Sequence, residues 1–409
     1  MLKEEMKKIW RPGILAVLLL FGFVFYTMYL EFYIKYFPNG PEYQGIYQVA
    51  VDWVERFGTT LEPEEEAEAA GEIPALESEA LRYLSANPVA QKYGLTSYEE
   101  YEQFYSRSVL EVEGEMSALM QERYADAMLL SNYLSGEETK NVQGRIYATR
   151  LYTQMYELWE QEGVNFKDKD YMERYTPGEY AHAADSFFGA DNAWRNIMPP
   201  ELPEAFSTYF GYLLIWICVS CCLLLSPVPV RDRMRSMRPL QWSSRHGRNI
   251  LRTQFAAAML SGAALTTVNI LIFGGLFMTH GIQTFFGCRI FSFMHTGFSW
   301  INPTFGIWCL LMVLLTYLTA MGISAIAFFL SLHSTNYVAM LLKMIPLVIL
   351  TAMICPPLLT RLFYYGNSLY QLTSVPGVEG ITALLILAAG LVLFALTRRR
   401  QKRQELLQG

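Results

Sequence analysis

Six long apolar runs constrain the fold of this 409-residue chain more than any other feature. An α-helix rises about 1.5 Å per residue, so about 20 apolar residues cross the roughly 30 Å hydrocarbon layer of a membrane. The composition, 52% hydrophobic and 17% charged, is typical of the membrane class. We predict six transmembrane helices, at approximately Gly13–Tyr33, Tyr209–Leu225, Phe255–Thr279, Phe305–Leu330, Tyr337–Cys355 and Ile381–Leu396.

Lysine and arginine in the short flanks predict the orientation, since they concentrate on the cytoplasmic side. The first run has no small-residue cleavage site and is interpreted as an uncleaved anchor. Opposite the basic flanks, the short loops hold only Arg289 and Arg361. Both chain ends and the loop 226–254 are therefore expected in the cytoplasm. The basic flanks comprise Lys3, Lys7, Lys8 and Arg11, then Arg231, Arg233, Arg235, Arg238, Arg245, Arg248 and Arg252, and finally Arg398, Arg399, Arg400, Lys402 and Arg403.

The segment 35–206 is a large acidic region with 32 acidic and 13 basic residues. It is long enough for an independent core, and the expected topology places it outside the cell. All six cysteines fall in or beside apolar runs, so this region is expected to fold without disulfides. We predict a large, mainly helical extracellular domain between spans one and two.

Within this region, local patterns predict a helical hairpin. Thr96 and Glu99 have the spacing of a capping box that opens a helix reaching Leu134, and a second helix runs from Tyr147 to Gly163. Its tyrosine stripe, including Tyr152 and Tyr156, fits either a ligand surface or an ordinary core, and the core interpretation is favoured. The run 62–72, EPEEEAEAAGE, is expected to be disordered or weakly ordered, because it has almost no bulky apolar side chains and its carboxylates repel one another.

Catalytic and cofactor motifs are not found in the sequence. It has no GxxxxGK[ST] nucleotide loop, and its five histidines are scattered. Cys218, Cys221 and Cys222 could suggest a metal site, but no histidine or carboxylate lies near them, so packing is favoured. Lys343 in the fifth run has either a functional role or, as favoured, a side chain that reaches the headgroups. We predict no enzyme activity, cofactor, metal or nucleic-acid partner. If the chain moves a solute across the membrane, the energy would come from another protein.

The basic loop 226–254 is the best candidate for contact with such a partner. Met234 and Met237 share one helical face, and arginines occupy the others. Pro239 ends this short helix, and Ser243 or Ser244 can cap the third span. The pattern predicts a lever that docks a cytoplasmic protein, although a loop lying on anionic lipid would have the same composition.

In these residues the chain resembles the permease subunits of ABC type-2 exporters. The segment Arg231–Met237 matches the family's coupling helix, Trp242–Gln254 resembles its hydroxyl and Gly-Arg run entering the third span, and 356–377 suits its external re-entrant segment. The family often has Glu and Gly before the hydroxyl pair, where Asp232 and Ser236 are the nearest substitutes. The resemblance implies ATPase-coupling residues Arg231, Asp232, Met234, Arg235, Met237 and Arg238, and a span-entry motif of Trp242, Ser243, Ser244, Arg245, Gly247 and Arg248.

The resemblance also implies a bacterial plasma-membrane permease that dimerises with a second permease subunit and exports a substrate. ATP would be hydrolysed by a separate cytoplasmic ABC ATPase subunit. The alternative is a membrane-anchored receptor or assembly scaffold whose extracellular hairpin binds a protein partner. The expected domains are a cytoplasmic end with span one (1–34), the acidic domain (35–206), a five-helix membrane region (207–400) and a cytoplasmic tail (401–409).

Overall fold

The computed structural model describes residues 1–110, 117–166, 193–235, 250–294, 301–360, 375 and 377–408. This part of the chain is helical, with two isolated β-bridges and no strand within it. The predicted all-α class is therefore confirmed. Its first element, helix α1, covers Leu2–Ile9.

Six helices are long and apolar enough to cross a membrane, which confirms the predicted number and approximate positions. They follow the predicted runs because those runs satisfy their backbone hydrogen bonds internally and present apolar side chains outward. We number them spans 1 to 6: Pro12–Lys35, Glu201–Met234, Ile250–Met278, Phe305–Leu332, Tyr337–Pro356 and Val378–Arg400.

In terms of helices, span 1 contains α2 (Pro12–Phe25) and α3 (Glu31–Lys35), which a π-helical turn joins. Span 3 has a similar π-helical turn between its two helices. The two helices at the end of the chain extend beyond their spans. The fifth-span helix continues to Thr360, so the predicted re-entrant segment 356–377 begins inside a helix and not at a break, and its residues 361–374 and 376 lie outside the described residues. The helices of spans 2 to 6 are α11 (Glu201–Leu225), α12 (Pro227–Met234), α13 (Ile250–Asn269), α14 (Gly275–Met278), α15 (Phe305–Leu332), α16 (Tyr337–Thr360) and α17 (Val378–Gln408).

Glycines set the closest approaches between spans. A Cβ added at Gly322 of span 4 would lie 2.7 Å from the backbone nitrogen of Leu387 in span 6. Gly262, one of the small residues of span 3, similarly faces Ser324 of span 4 at 2.9 Å. Span 2 is the central helix. Of its most apolar 18-residue stretch 78% is buried, against 11% for the corresponding stretch of span 1. Small residues at the crossings allow van der Waals packing of this kind in a membrane bundle.

The acidic domain, defined here as the segment between spans 1 and 2, contains seven helices in its described part. The run 62–72 is not disordered: Pro63–Ala70 is helical and begins with a capping box of Glu62 and Glu65. Counter-ions explain this correction, because Arg56 binds Glu68 at 3.0 Å and Glu72 at 2.7 Å. The helices are α4 (Pro41–Phe57), α5 (Pro63–Ala70), α6 (Ile73–Ala86), α7 (Pro88–Lys92), α8 (Tyr98–Tyr105), α9 (Ala118–Leu134) and α10 (Val142–Phe166).

The predicted long helix starting at Thr96 is also wrong in detail. Ser97 is the N-cap of α8 and accepts a hydrogen bond from the Glu100 backbone at 3.1 Å, while Glu100 reaches back to Thr96. The capping box is thus shifted by one residue. A π-helical turn follows α8, and Ser117 caps a new helix, α9, so the predicted single helix is two.

Helix α10 follows α9 through a short turn, as expected, but its closest crossing is with α4. A Cβ added at Gly45 would lie 2.2 Å from the carbonyl carbon of Gly144, so the two backbones touch. Asn141 holds the turn, since its Nδ2 donates to the Pro41 carbonyl at 2.8 Å and its Oδ1 accepts from the Gly144 backbone at 3.2 Å. The core of the acidic domain is therefore built around this pair of helices.

Candidate functional site

The second span is longer than a bilayer requires. Its 34 residues correspond to about 50 Å of helix, against a hydrocarbon thickness of about 30 Å. Only Ser226 separates α11 from α12, and its backbone is itself right-handed helical. Pro227 fits the first turn of α12, where its missing N–H is least costly. The predicted coupling segment thus begins as a continuation of span 2, and not as a helix set apart by a break.

Arg231 and Asp232 form the inner side of α12 and are buried, at 9% and 8% exposed. The Asp232 carboxylate accepts a hydrogen bond from Gln254 at 3.2 Å and lies 3.8 Å from the Lys8 ammonium. Arg231 donates to the Lys8 carbonyl at 3.2 Å. We call Glu5, Lys8, Arg231, Asp232 and Gln254 the charged cluster.

Helix α1 completes the charged cluster. Lys8 forms an ion pair with Glu5 at 2.6 Å, and the Glu5 side chain is buried. Trp10, just after α1, donates to the Ser261 hydroxyl of span 3 at 3.0 Å. Buried charges are tolerated when they are paired and hydrogen-bonded, and breaking one pair is costly. The cluster therefore ties α1, the end of span 2 and the start of span 3 together.

The outer side of α12 contacts the turn between spans 4 and 5. Arg233 donates to the Ser334 carbonyl at 3.2 Å, and the Ser331 hydroxyl donates to the Ser226 carbonyl. Lys343 donates to the His333 carbonyl at 2.7 Å, where span 4 ends. A cation is favourable at a helix C-terminus, so the Lys343 side chain has a capping role within the protein.

Met234, the last residue of α12, and Arg235, which follows it, make none of these contacts and are exposed. Met234 is 54% exposed, and Arg235 is also exposed. Of the predicted coupling residues, the structure therefore separates an internal pair, Arg231 and Asp232, from an external pair, Met234 and Arg235. The other predicted site residues, Met237, Arg238, Trp242, Ser243, Ser244, Arg245, Gly247 and Arg248, lie outside the described residues, as does Ser236.

The cysteines and tyrosines singled out in the sequence are mostly interior. Cys218, Cys221 and Cys222 are free, buried thiols within span 2. Tyr152 and Tyr156 are completely buried, which agrees with the core interpretation. In the described ranges, no three potential metal ligands come together.

The opposite end of the bundle carries the acidic domain through specific contacts. Phe293, in the loop after span 3, packs between Tyr152 and Tyr156 with ring centroids 5.6 and 5.5 Å away. The Tyr47 hydroxyl donates to the His280 carbonyl at 2.9 Å, where span 3 ends. The domain therefore rests on the loop between spans 3 and 4.

Backbone hydrogen bonds also join the acidic domain to the loop between spans 3 and 4. The Asn196 carboxamide accepts a hydrogen bond from the Arg289 backbone at 2.8 Å, and the Phe293 backbone donates to the Trp194 carbonyl at 2.8 Å. The Leu61 backbone donates to Arg195 at 3.0 Å. We call these contacts around 59–61, 193–198 and 282–294 the domain junction. No local sequence pattern predicts the domain junction, because its members are far apart in the chain.

Six apolar spans and this bundle define the class: a multi-pass helical membrane protein. A scan against protein-family models and searches of curated proteins and of solved structures find no match for the chain.

Proposed function

We propose that this chain is the permease subunit of an ATP-driven ABC exporter in a bacterial plasma membrane. A separate cytoplasmic ATPase subunit would bind at Met234 and Arg235, and a second permease subunit would complete the transport path. Export then runs from the basic end of the bundle to the end that carries the acidic domain, which would lie outside the cell.

The observation that carries the proposal is the division of α12 into a buried root and an exposed tip. A force applied to Met234 and Arg235 is transmitted through a continuous helix to Arg231 and Asp232, which are bonded to α1 and span 3. Rigid elements and ion-pair networks with two arrangements are the means by which coupling travels through a protein. The tip combines an apolar side chain with a cation, a suitable surface for a partner with an apolar pocket and an acidic rim.

The proposal is tested by co-expressing the chain with ABC ATPase subunits from the same genome and purifying the complex. We expect Met234→Asp with Arg235→Glu to reduce the co-purified ATPase at least about tenfold, the equivalent of 1.4 kcal/mol. Arg399→Gln with Arg400→Glu is the matched control, because the pair changes the net charge by the same amount on two exposed residues of span 6. Equal ATPase recovery from the tip variant and the control would contradict docking at α12.

A second variant separates binding from coupling. Asp232→Asn keeps the shape of the buried root but removes the charge that faces Lys8. We expect this variant to retain the ATPase while transport-linked ATP hydrolysis falls. Loss of ATPase binding in Asp232→Asn would show that the root is part of the docking surface itself.

A receptor or scaffold is the second candidate, and one observation favours it. The acidic domain exposes large apolar side chains after α8 and on α9, with Leu110, Leu119 and Leu129 all more than half exposed. Exposed apolar patches often mark protein contacts. If no ATPase associates and Leu119→Glu with Leu129→Glu abolishes capture of an extracellular protein by the full chain, this function replaces the exporter.

A further inference from the structure

The acidic domain contains a cleft lined by tyrosines, and none of its lining residues has a role in the proposed function. The cleft lies between the start of α4 and helices α8, α9 and α10, and its volume is about 690 Å³. This volume falls in the range of about 300–1,000 Å³ that small-molecule sites occupy. Tyrosines from α4, α8 and α10 line it: Tyr43, Tyr98, Tyr101, Tyr105 and Tyr147.

The tyrosines form a buried floor and an exposed rim. Tyr98 and Tyr101 are buried with ring centroids 5.6 Å apart, and the Tyr101 hydroxyl donates to Gln143 at 3.0 Å, which fixes the ring. Tyr43 and Tyr147, at 46% and 43% exposed, are accessible to a ligand. The faces of such rings attract cations, with about 0.5–2 kcal/mol for each contact.

The charges of the cleft are unbalanced. Arg150 is the cation among its described lining residues, and it is already bound by Glu102 at 2.7 Å and by Glu77 at 2.5 Å. Glu42, which also lines the cleft, has no hydrogen bond or ion pair with any residue in the described ranges. One carboxylate therefore faces the cleft without a counter-ion.

Glu42 lies next to the exposed rings. Burial raises the pKa of Tyr147, and the nearby Glu42 and Tyr43 raise it further. The carboxylate and the two accessible rings thus form one corner of the cleft. Leu110, Met128 and Leu151 provide an apolar wall elsewhere in it.

We propose that this cleft binds a small organic cation, an ammonium or guanidinium group carried on an apolar or aromatic body. The cation contacts the Glu42 carboxylate and the faces of Tyr43 and Tyr147, and the body lies against the apolar wall. An acidic domain around the cleft raises the local concentration of such a ligand. The site stands independently of the ATPase, since it uses no residue of α12 or of the charged cluster.

The test uses the full chain in nanodiscs of zwitterionic lipid, with empty nanodiscs as the blank, and calorimetric titration. The probes are Nα-benzoyl-arginine amide, its neutral analogue Nα-benzoyl-citrulline amide, and the anion Nα-benzoyl-glutamate. We expect saturable binding of the arginine probe, binding of the citrulline analogue at least tenfold weaker, and no binding of the anion. Added salt should weaken the binding of the arginine probe, because salt screens a partly exposed ion pair.

Variants locate the site. Glu42→Gln and Tyr147→Ala are each expected to weaken the arginine probe at least tenfold, while Tyr147→Phe retains binding because the ring face and not the hydroxyl holds the cation. Glu55→Gln, the same change at an exposed position near the other end of α4, is the matched control and should leave binding unchanged. Glu42 is exposed, so its variant should fold normally, which a thermal unfolding curve checks.

Three results would overturn the proposal. These are the absence of saturable binding up to about 10 mM, beyond which a specific site is not meaningful, equal affinity for the arginine and citrulline probes, and binding that is unchanged in both Glu42→Gln and Tyr147→Ala.

Discussion

Glu66 is a carboxylate in an unfavourable position on α5. It is buried, and its Oε1 has no hydrogen-bond partner among the residues described. Burial raises its pKa above 4.5, and the nearby Glu157 and Glu160 raise it further. The folded protein therefore binds this proton more tightly than the unfolded chain does.

The consequence is a stability that falls as pH rises. The contribution of protonated Glu66 is complete below the ordinary pKa of 4.5 and is lost as the pH rises through the higher folded pKa. We expect Glu66→Gln to remove this loss, so that the variant gains Tm over the wild type at about pH 8 and gains little at about pH 4. Thermal unfolding of the purified chain at both pH values measures it.

Glu64→Gln is the control for Glu66, because Glu64 is an exposed residue of the same helix. An equal rise in Tm for both variants at about pH 8 would mean that the general acidity of the domain, and not the buried carboxylate, sets the pH dependence.

At the scale of elements, the crossing of α4 and α10 depends on two glycines. A Cβ at Gly144 would lie 2.6 Å from the Pro41 carbonyl oxygen, and this oxygen belongs to backbone that Asn141 already holds. We expect Gly144→Ala to destabilise the acidic domain by about 1–3 kcal/mol, the usual cost of overpacking. Denaturant unfolding followed by tryptophan fluorescence reports it, because Trp53 of α4 is buried beside Tyr152 of α10.

Gly275→Ala provides the comparison for this substitution. An added Cβ there meets no atom within 4 Å, so the change should leave stability unaltered or slightly raised by better helix propensity. A Gly144→Ala chain as stable as Gly275→Ala would show that the two helices can separate without cost.

The sequence was sufficient for the spans and insufficient for much of the acidic domain, for a physical reason. A membrane helix is selected by its own length and hydropathy, both of which are local properties. The helix α5 depends on Arg56 and Arg195, and Arg195 binds Glu62 at 2.8 Å from 133 positions away. Repulsion among the carboxylates of 62–72 predicts disorder when the segment is taken alone. In the fold, Arg56 and Arg195 neutralise part of that charge.

The candidate site shows the same division. Hydropathy and arginine content indicated the loop after span 2, but the pairing of Asp232 with Lys8 joins positions that no local pattern connects. The helical spacing of the tyrosine stripe predicts core residues, and Tyr152 and Tyr156 are indeed buried. Tyr43 and Tyr147 belong to different helices, and only the crossing of those helices brings them to one cleft.

For the whole molecule, the domain junction links the acidic domain to the membrane helices. Asn196 is buried, and its Oδ1 accepts the Arg289 backbone hydrogen bond. We expect Asn196→Ala to remove this hydrogen bond and to destabilise the junction by about 0.5–1.5 kcal/mol, the usual net value of one hydrogen bond. The acidic domain should then unfold before the bundle, and scanning calorimetry should show two transitions where the wild type shows one.

Asn87→Ala serves as the reference for this experiment. Asn87 also accepts a backbone hydrogen bond, from Val89 at 2.9 Å, but it caps α7 away from the junction. A single transition in Asn196→Ala, shifted no more than in Asn87→Ala, would indicate that the domain and the bundle unfold together whatever happens at this residue.

The position of the junction determines how the acidic domain can move. Its chain begins at the end of span 1 and returns at the start of span 2, while Tyr47 and Phe293 attach it to the segment between spans 3 and 4. A body held at three such places cannot swing on one flexible tether. Any tilt of the domain, whether driven by a captured molecule or by a neighbouring protein, would together shift the ends of the four membrane helices to which the domain is attached.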